Sequence, residues 1–131
     1  MADILKDVQA SGYPGYGGHP IIEEYTRNCK GKGVVLHIEC SHSEEMTVVL
    51  NGKLISWQQR TSPKIEFDSN LTSELVDGTN LLVVSLVNYS YDIDLQGHID
   101  IGSDRIDLKL DHKPLRRTGL VYQAAITLIN E

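Results

Sequence analysis

The sequence predicts an all-β fold, an antiparallel β-sandwich of jelly-roll type with about eight strands, forming one domain over residues 1–131. Three observations carry this expectation. Short segments alternate apolar and polar residues, most clearly Val34-Val35-Leu36-His37-Ile38-Glu39-Cys40 and Arg105-Ile106-Asp107-Leu108-Lys109-Leu110-Asp111. Turn residues punctuate them, above all Asn51-Gly52, whose tolerance of positive φ makes it a strong hairpin signal. No competing segment repeats apolar residues at helical spacing over a helix length.

Taken in order, Ile4 to Ala10 reads equally as an edge strand or a helical turn, being too short to decide. Residues 11–20 hold four glycines and two prolines, which forbid regular structure and mark a Gly/Tyr/Pro-rich loop or arm. Ile21 to Arg27 reads as a strand, followed by a Gly-Lys turn. Val34, Leu36, Ile38 and Cys40 then point inward, as do Met46, Val48 and Leu50. Leu54 to Trp57 forms the second arm of the Asn-Gly hairpin. Ile65 and Phe67 face inward beyond a polar loop, and Asp68-Ser69-Asn70 offers a cap for a short helical turn carrying Leu71 and Leu75. Leu81 to Val87, apolar on both faces, predicts a central strand covered on both sides. Tyr91–Leu95, Gly97–Ile101 and Arg105–Asp111 supply further strands, and Leu120–Ile129 closes the sheet.

A formal net charge of -6 argues against nucleic acid and anionic membranes, which recruit basic faces. No apolar run reaches the length of a membrane-spanning helix. The first residues hold two acids and no long apolar stretch, so the chain is expected in the cytoplasm, or exported without a classical signal peptide. Cys29 and Cys40 are free thiols in a reducing compartment, and a bridge around a hairpin is the alternative in an oxidising one.

Val48-Val49-Leu50-Asn51-Gly52-Lys53, Ile65-Glu66-Phe67-Asp68, and Leu75 with Gly78-Thr79-Asn80 and Leu82-Val83-Val84-Ser85-Leu86-Val87-Asn88 form a pattern. It resembles the galactose-binding-like jelly roll, found as the sugar-binding domain of family 2 glycoside hydrolases and in carbohydrate-binding modules. The resemblance covers somewhat under half the chain and implies a fold more than a ligand. A weaker similarity, to small calcium-dependent galactose-binding bacterial lectins, implies a calcium site at Asn88, Asp92 and Asp94. Calcium takes six or more oxygen ligands. The plainer reading of Asp92 and Asp94, alternating with Tyr91, Ile93 and Leu95, is a solvated strand face.

Catalysis finds no support. There is no Gly-x-Ser-x-Gly elbow or recognised Cys-His signature. His37-x-x-Cys40-x-His42 mimics a zinc half-site, but His37 and Cys40 fall on opposite strand faces. Carboxylates lie at turns or on solvent faces, a poor arrangement for a glycosidase pair. Sugar recognition instead needs flat aromatic faces beside planar hydrogen-bonding groups. Trp57 with Gln58, Gln59 and Arg60, joined by Tyr13, Tyr16 and His19, is the leading set, with Tyr89 and Tyr91 as further aromatics. Trp57, the only tryptophan, has a rival reading as a core or subunit-contact residue. The expected function is therefore a non-catalytic, lectin-like domain binding carbohydrate, with calcium as its one potential cofactor and a homo-oligomeric state. The alternative is a structural or protein-interaction subunit of a larger assembly.

Overall fold

The computed structural model describes residues 4–9, 20–41, 45–59, 64–88, 92–114 and 119–131. Among them ten strands form: β1 (Ile4–Gln9), β2 (Ile21–Asn28), β3 (Val34–Ser41), β4 (Glu45–Leu50), β5 (Lys53–Gln59), β6 (Lys64–Asn70), β7 (Gly78–Asn88), β8 (Asp92–Ile101), β9 (Asp104–Pro114) and β10 (Gly119–Asn130). One sheet has six strands in the order β1-β2-β10-β7-β4-β5, and the other has four in the order β6-β3-β8-β9. The chain crosses between the two layers repeatedly, and only β1–β2, β4–β5 and β8–β9 follow one another within a sheet. This is the expected all-β sandwich. All pairings are antiparallel except β2 with β10, which run parallel from Ile21↔Tyr122 to Asn28↔Ile129.

The strand count exceeds the expected eight partly because the ambiguous first segment is a true edge strand on β2. The two segments read on either side of Gln96 are one strand, β8, with an irregularity between Ile93 and Leu95. Gly97 fits inside it because a Cβ there would lie 2.9 Å from the carbonyl oxygen of His37, so the backbones of β3 and β8 meet more closely than a side chain allows.

Alternation then builds the core. Leu36 and Ile38 of β3, Met46 and Val48 of β4, Leu82, Val84 and Leu86 of β7, and Ile126 and Leu128 of β10 are all buried, and Ile65 joins them with Phe67 packed alongside. Burying each such side chain stabilises by about 1.5–3 kcal/mol before chain entropy is counted. The expectation that β7 is covered on both sides is not met. Leu82, Val84 and Leu86 face inward, but Leu81 remains 46 % exposed. A two-layer sandwich gives every strand one outward face, central strands included.

The turns at 29–33, 51–52, 71–77 and 102–103 share one end of the sandwich, which we call the turn end. Asn51 (φ 52°) and Gly52 (φ 78°) both take positive φ, as a tight hairpin requires. A single 3-10 turn, Thr72–Glu74, replaces the helical turn expected there, and Asn70 does provide its side-chain contact by accepting from the Thr72 N–H at 3.1 Å. Leu71 is buried beneath it. Cys29 also lies at the turn end, its N–H bonded to the Ile129 carbonyl, whereas Cys40 is six strand residues beyond Val34. That run spans about 20 Å at about 3.3 Å per residue. A disulfide needs Cα atoms within about 7 Å, so the bridge is excluded and both cysteines are buried and not disulfide-bonded.

Candidate functional site

Odd-numbered strands run towards the end opposite the turns and even-numbered strands leave from it, a consequence of the pairings β1–β2, β2–β10, β10–β7, β7–β4 and β4–β5 in one sheet and their counterparts in the other. The five connections at 10–19, 42–44, 60–63, 89–91 and 115–118 therefore start and finish at strand ends on that side, the loop end. Tyr13, Tyr16, His19, Arg60, Tyr89 and Tyr91 lie in these connections, outside the described residues.

The remaining predicted residues are not brought together as one set. Trp57 sits on β5, 54 % exposed, on the outer face of the six-stranded sheet. Its indole N–H reaches Glu45 Oε2 at 3.5 Å. Gln58 is on the opposite face of the strand, donating from Nε2 to Ser56 Oγ at 3.0 Å, so it does not flank the indole. Gln59 is at the end of β5, opposite Glu45, and its side chain lies outside the described residues. The neighbours Trp57 does have run across the strands: register places Thr47, Ser85, Gln123 and Ile22 on the same level. Leu54 (57 % exposed), Leu81 and Ile22 share that outer face. A hollow of about 280 Å³ is sunk between Glu24, Tyr25, Thr26, Leu81, Ala125 and Thr127, where Ala125 leaves room among larger neighbours.

The calcium trio flanks the connection at 89–91. Asn88 ends β7 in one sheet, whereas Asp92 begins β8 in the other. Asp94 pairs with Ser41 inside β8, as an ordinary strand residue would. The side chains of Asn88 and Asp92 lie outside the described residues. Among the described residues no group of three or more His, Cys, Asp or Glu side chains is placed to hold a metal.

The outer face of the four-stranded sheet is of opposite character. Glu39, Glu66, Asp68, Asp100 and Asp107 share it with Arg105 and Lys109, all on outward positions. At its centre His37 and His98 stand side by side with ring centroids 5.1 Å apart. His37 Nδ1 meets Asp68 Oδ1 at 2.5 Å and its Nε2 lies 3.4 Å from Glu39 Oε2. The bond to Asp68, with a smaller contribution from Glu39, raises the His37 pKa above its usual 6.5 against the opposing effect of burial. A raised folded value means that the protonated ring stabilises the fold fully below about pH 6.5, and that this contribution is lost as pH rises through the raised value. The His37 ring resonance should accordingly titrate above 6.5, and Asp68→Asn should bring the midpoint down. A midpoint unchanged by Asp68→Asn would contradict this account.

A buried polar cluster was not foreseen from the sequence. Glu23, Tyr25 and Arg27 point inward from β2. Tyr122 donates its hydroxyl proton to Glu23 Oε1 inside the core, and burial followed by the Glu23 carboxylate pushes the Tyr122 pKa far above its usual range. Arg27 forms a fork on Asp7 (2.5 and 3.0 Å) and reaches Asp104 through Nε at 3.1 Å, tying the edge strand β1 to the β8–β9 turn of the other sheet. Two charged residues on one alternation set of a predicted strand were the available signal, a pattern that more often marks a solvent face than a buried one. Tyr25 also borders the hollow, whereas Glu23, Arg27 and Tyr122 do not, and the mutual satisfaction of these groups assigns them to structure.

Comparison with protein-family models, curated proteins and solved structures found no match to this chain. No helix among the described residues is long and apolar enough to cross a membrane.

Proposed function

We propose that this chain is a non-catalytic carbohydrate-binding domain whose ligand is held at the loop end. The observation that supports this reading is strand direction: the strand ends from which five connections start and to which they return lie at one end, and four of the six tyrosines in the chain, Tyr13, Tyr16, Tyr89 and Tyr91, fall within those connections in the sequence. Tyrosine offers a flat apolar face to a sugar ring and a hydroxyl to its rim. A rigid sandwich carrying variable loops is the common way of presenting such groups. His19 and Arg60 add donors in the same connections. The resemblance of the Val34–Asn88 region to sugar-binding jelly rolls agrees with this assignment. Calcium remains an optional component at Asn88, Asp92 and Asp94.

A second reading, a protein-contact subunit, is favoured by a different surface. Trp57, Leu54, Leu81 and Ile22 give the outer face of the six-stranded sheet more exposed apolar area than a sugar needs.

A glycan array run with and without calcium tests the first reading. Binding is expected, weakened at least tenfold by Tyr16→Ala or Tyr91→Ala and unchanged by Glu74→Ala at the turn end. Absence of any glycan signal in both conditions would sink it. Loss of binding in Trp57→Ala alone would move the sugar site to the sheet face.

A further inference from the structure

The geometry points to a second copy of this chain as the occupant of the outer face of the six-stranded sheet, in a two-fold dimer that seats Trp57 of each copy in the Ala125 hollow of the other.

Charge selects the face. At a net charge of -6 two copies repel, and they meet most cheaply where like charges are sparse. Among the described outward side chains of β2, β10, β7, β4 and β5, only Glu24 and Glu45 are charged, whereas the outer face of the four-stranded sheet carries six carboxylates (Glu39, Glu66, Asp68, Asp94, Asp100 and Asp107) against Arg105 and Lys109 in a smaller area.

Area is sufficient. Five strands about 4.8 Å apart give a width of roughly 24 Å, and their outward positions cover a similar height. The footprint, about 600 Å² before surface relief, approaches the roughly 800 Å² that each partner buries in a specific interface. Sheets packed face to face about 10 Å apart are the same arrangement that already forms the core of each copy.

Shape fixes the symmetry. An isologous contact requires each feature to meet its complement on the other copy. β7 is central among the five strands, with β5 two places to one side and β2 two places to the other. A two-fold axis lying along β7 between the facing sheets therefore carries Trp57 of one copy over β2 and β10 of its partner. At the level of Trp57 the facing residues are Gln123 and Ile22. The hollow begins one outward position further along the same strands, at Ala125 and Glu24. The angle of about 30° usual between packed sheets shifts a contact this far from the axis by about 5 Å, comparable to that step. An axis across the strands would instead bring β5 onto β5 and leave the hollow unfilled. The same axis keeps both loop ends on one side, so the dimer would present two ligand sites to one surface, a consequence that rests on the carbohydrate reading above.

Sedimentation and the emission of Trp57, the only tryptophan, read the outcome directly. At tens of micromolar the protein should sediment at twice the 14.6 kDa of one chain. Trp57 emission should move to the red on dilution as the indole returns to water. Trp57→Ala should weaken association at least tenfold, and Ala125→Phe should do the same by filling the hollow while leaving Trp57 untouched. Both positions lie on the outer face, and circular dichroism checks that the sandwich is intact. Ser85→Cys, next to the axis on β7, should cross-link to itself with a short bis-maleimide, whereas Glu66→Cys on the charged face should not. A monomeric wild type overturns the inference, as does a dimer indifferent to both Trp57→Ala and Ala125→Phe. The Tyr16 and Tyr91 variants test the carbohydrate reading independently of association, and a loss of glycan signal shared by Trp57→Ala and Ala125→Phe would report dissociation of the dimer and not a sugar site on the sheet face.

Discussion

Replacing Asn80 by alanine should cost about 3 kcal/mol in urea unfolding, among the largest effects of any single polar residue here. Asn80 is fully buried, and its amide organises the turn end. Oδ1 accepts from the Val76 N–H and from Asn51 Nδ2, both at 2.8 Å. Nδ2 donates to the Val76 carbonyl at 2.9 Å, with longer contacts to Gly78 and Leu128. Asn51 in turn accepts from the Leu81 N–H at 2.8 Å, so the β4–β5 hairpin is fastened to β7 through this side chain. Alanine would leave buried backbone groups unpaired, which is where the cost arises. Asn80→Asp preserves the acceptor but removes all the bonds donated by Nδ2 and buries a carboxylate, so it should be at least as damaging at neutral pH. A loss below about 1 kcal/mol for Asn80→Ala would show that water replaces the amide.

The second large effect is expected at Arg27. Arg27→Met should destabilise by about 2–3 kcal/mol, because it leaves Asp7 and Asp104 without their shared cation while removing the link between the sheets. The figure is set below that of a fully enclosed pair because the Asp7 side chain is 35 % exposed and water can take up part of the loss. Arg27→Lys should fall between, since one ammonium cannot reproduce a fork on Asp7 and a third bond to Asp104. Adding Asp7→Leu and Asp104→Asn to Arg27→Met should recover much of the stability, as it removes the stranded charges. No recovery in the triple variant would mean that the ion pairs position β1 in a way that apolar packing cannot replace.

Much of the framework was legible because local signals agreed. In β3 and β9 only one alternating set is apolar, and the Asn51-Gly52 pair has few uses other than a hairpin turn. Legibility failed where the deciding contact is remote. In Ile21–Asn28 the two alternating sets, Ile22-Glu24-Thr26 and Glu23-Tyr25-Arg27, are similarly mixed. The second is buried because Glu23 meets Tyr122, 99 residues away, and Arg27 meets Asp104, 77 residues away. At β5 the difficulty is parity. The register shifts between Val48 and Val49, pairing Val48 with Ser56 and Val49 with Leu54. That irregularity puts both Leu54 and Trp57 on the outer face although they are three residues apart, and the sequence has no mark for it. The candidate site was legible as a set of residue types, but its division was not. Sequence neighbours such as Trp57 and Gln58 separate onto opposite faces, while Trp57 and Gln123 share a level across four strands.

The parallel pairing of β2 with β10 has a consequence for how the molecule is made. β2 is bonded on one side to β1 and on the other to β10, so the β1–β2 hairpin has no place in the six-stranded sheet until the last strand has been laid against β7. On a ribosome the β1–β2 pair must wait, unpaired along one edge, until β10 has emerged. Closing so long a loop is slow, and the waiting edge is open to other chains. Expression at low temperature, or alongside holdase chaperones, should raise the soluble yield more than any change to the finished fold.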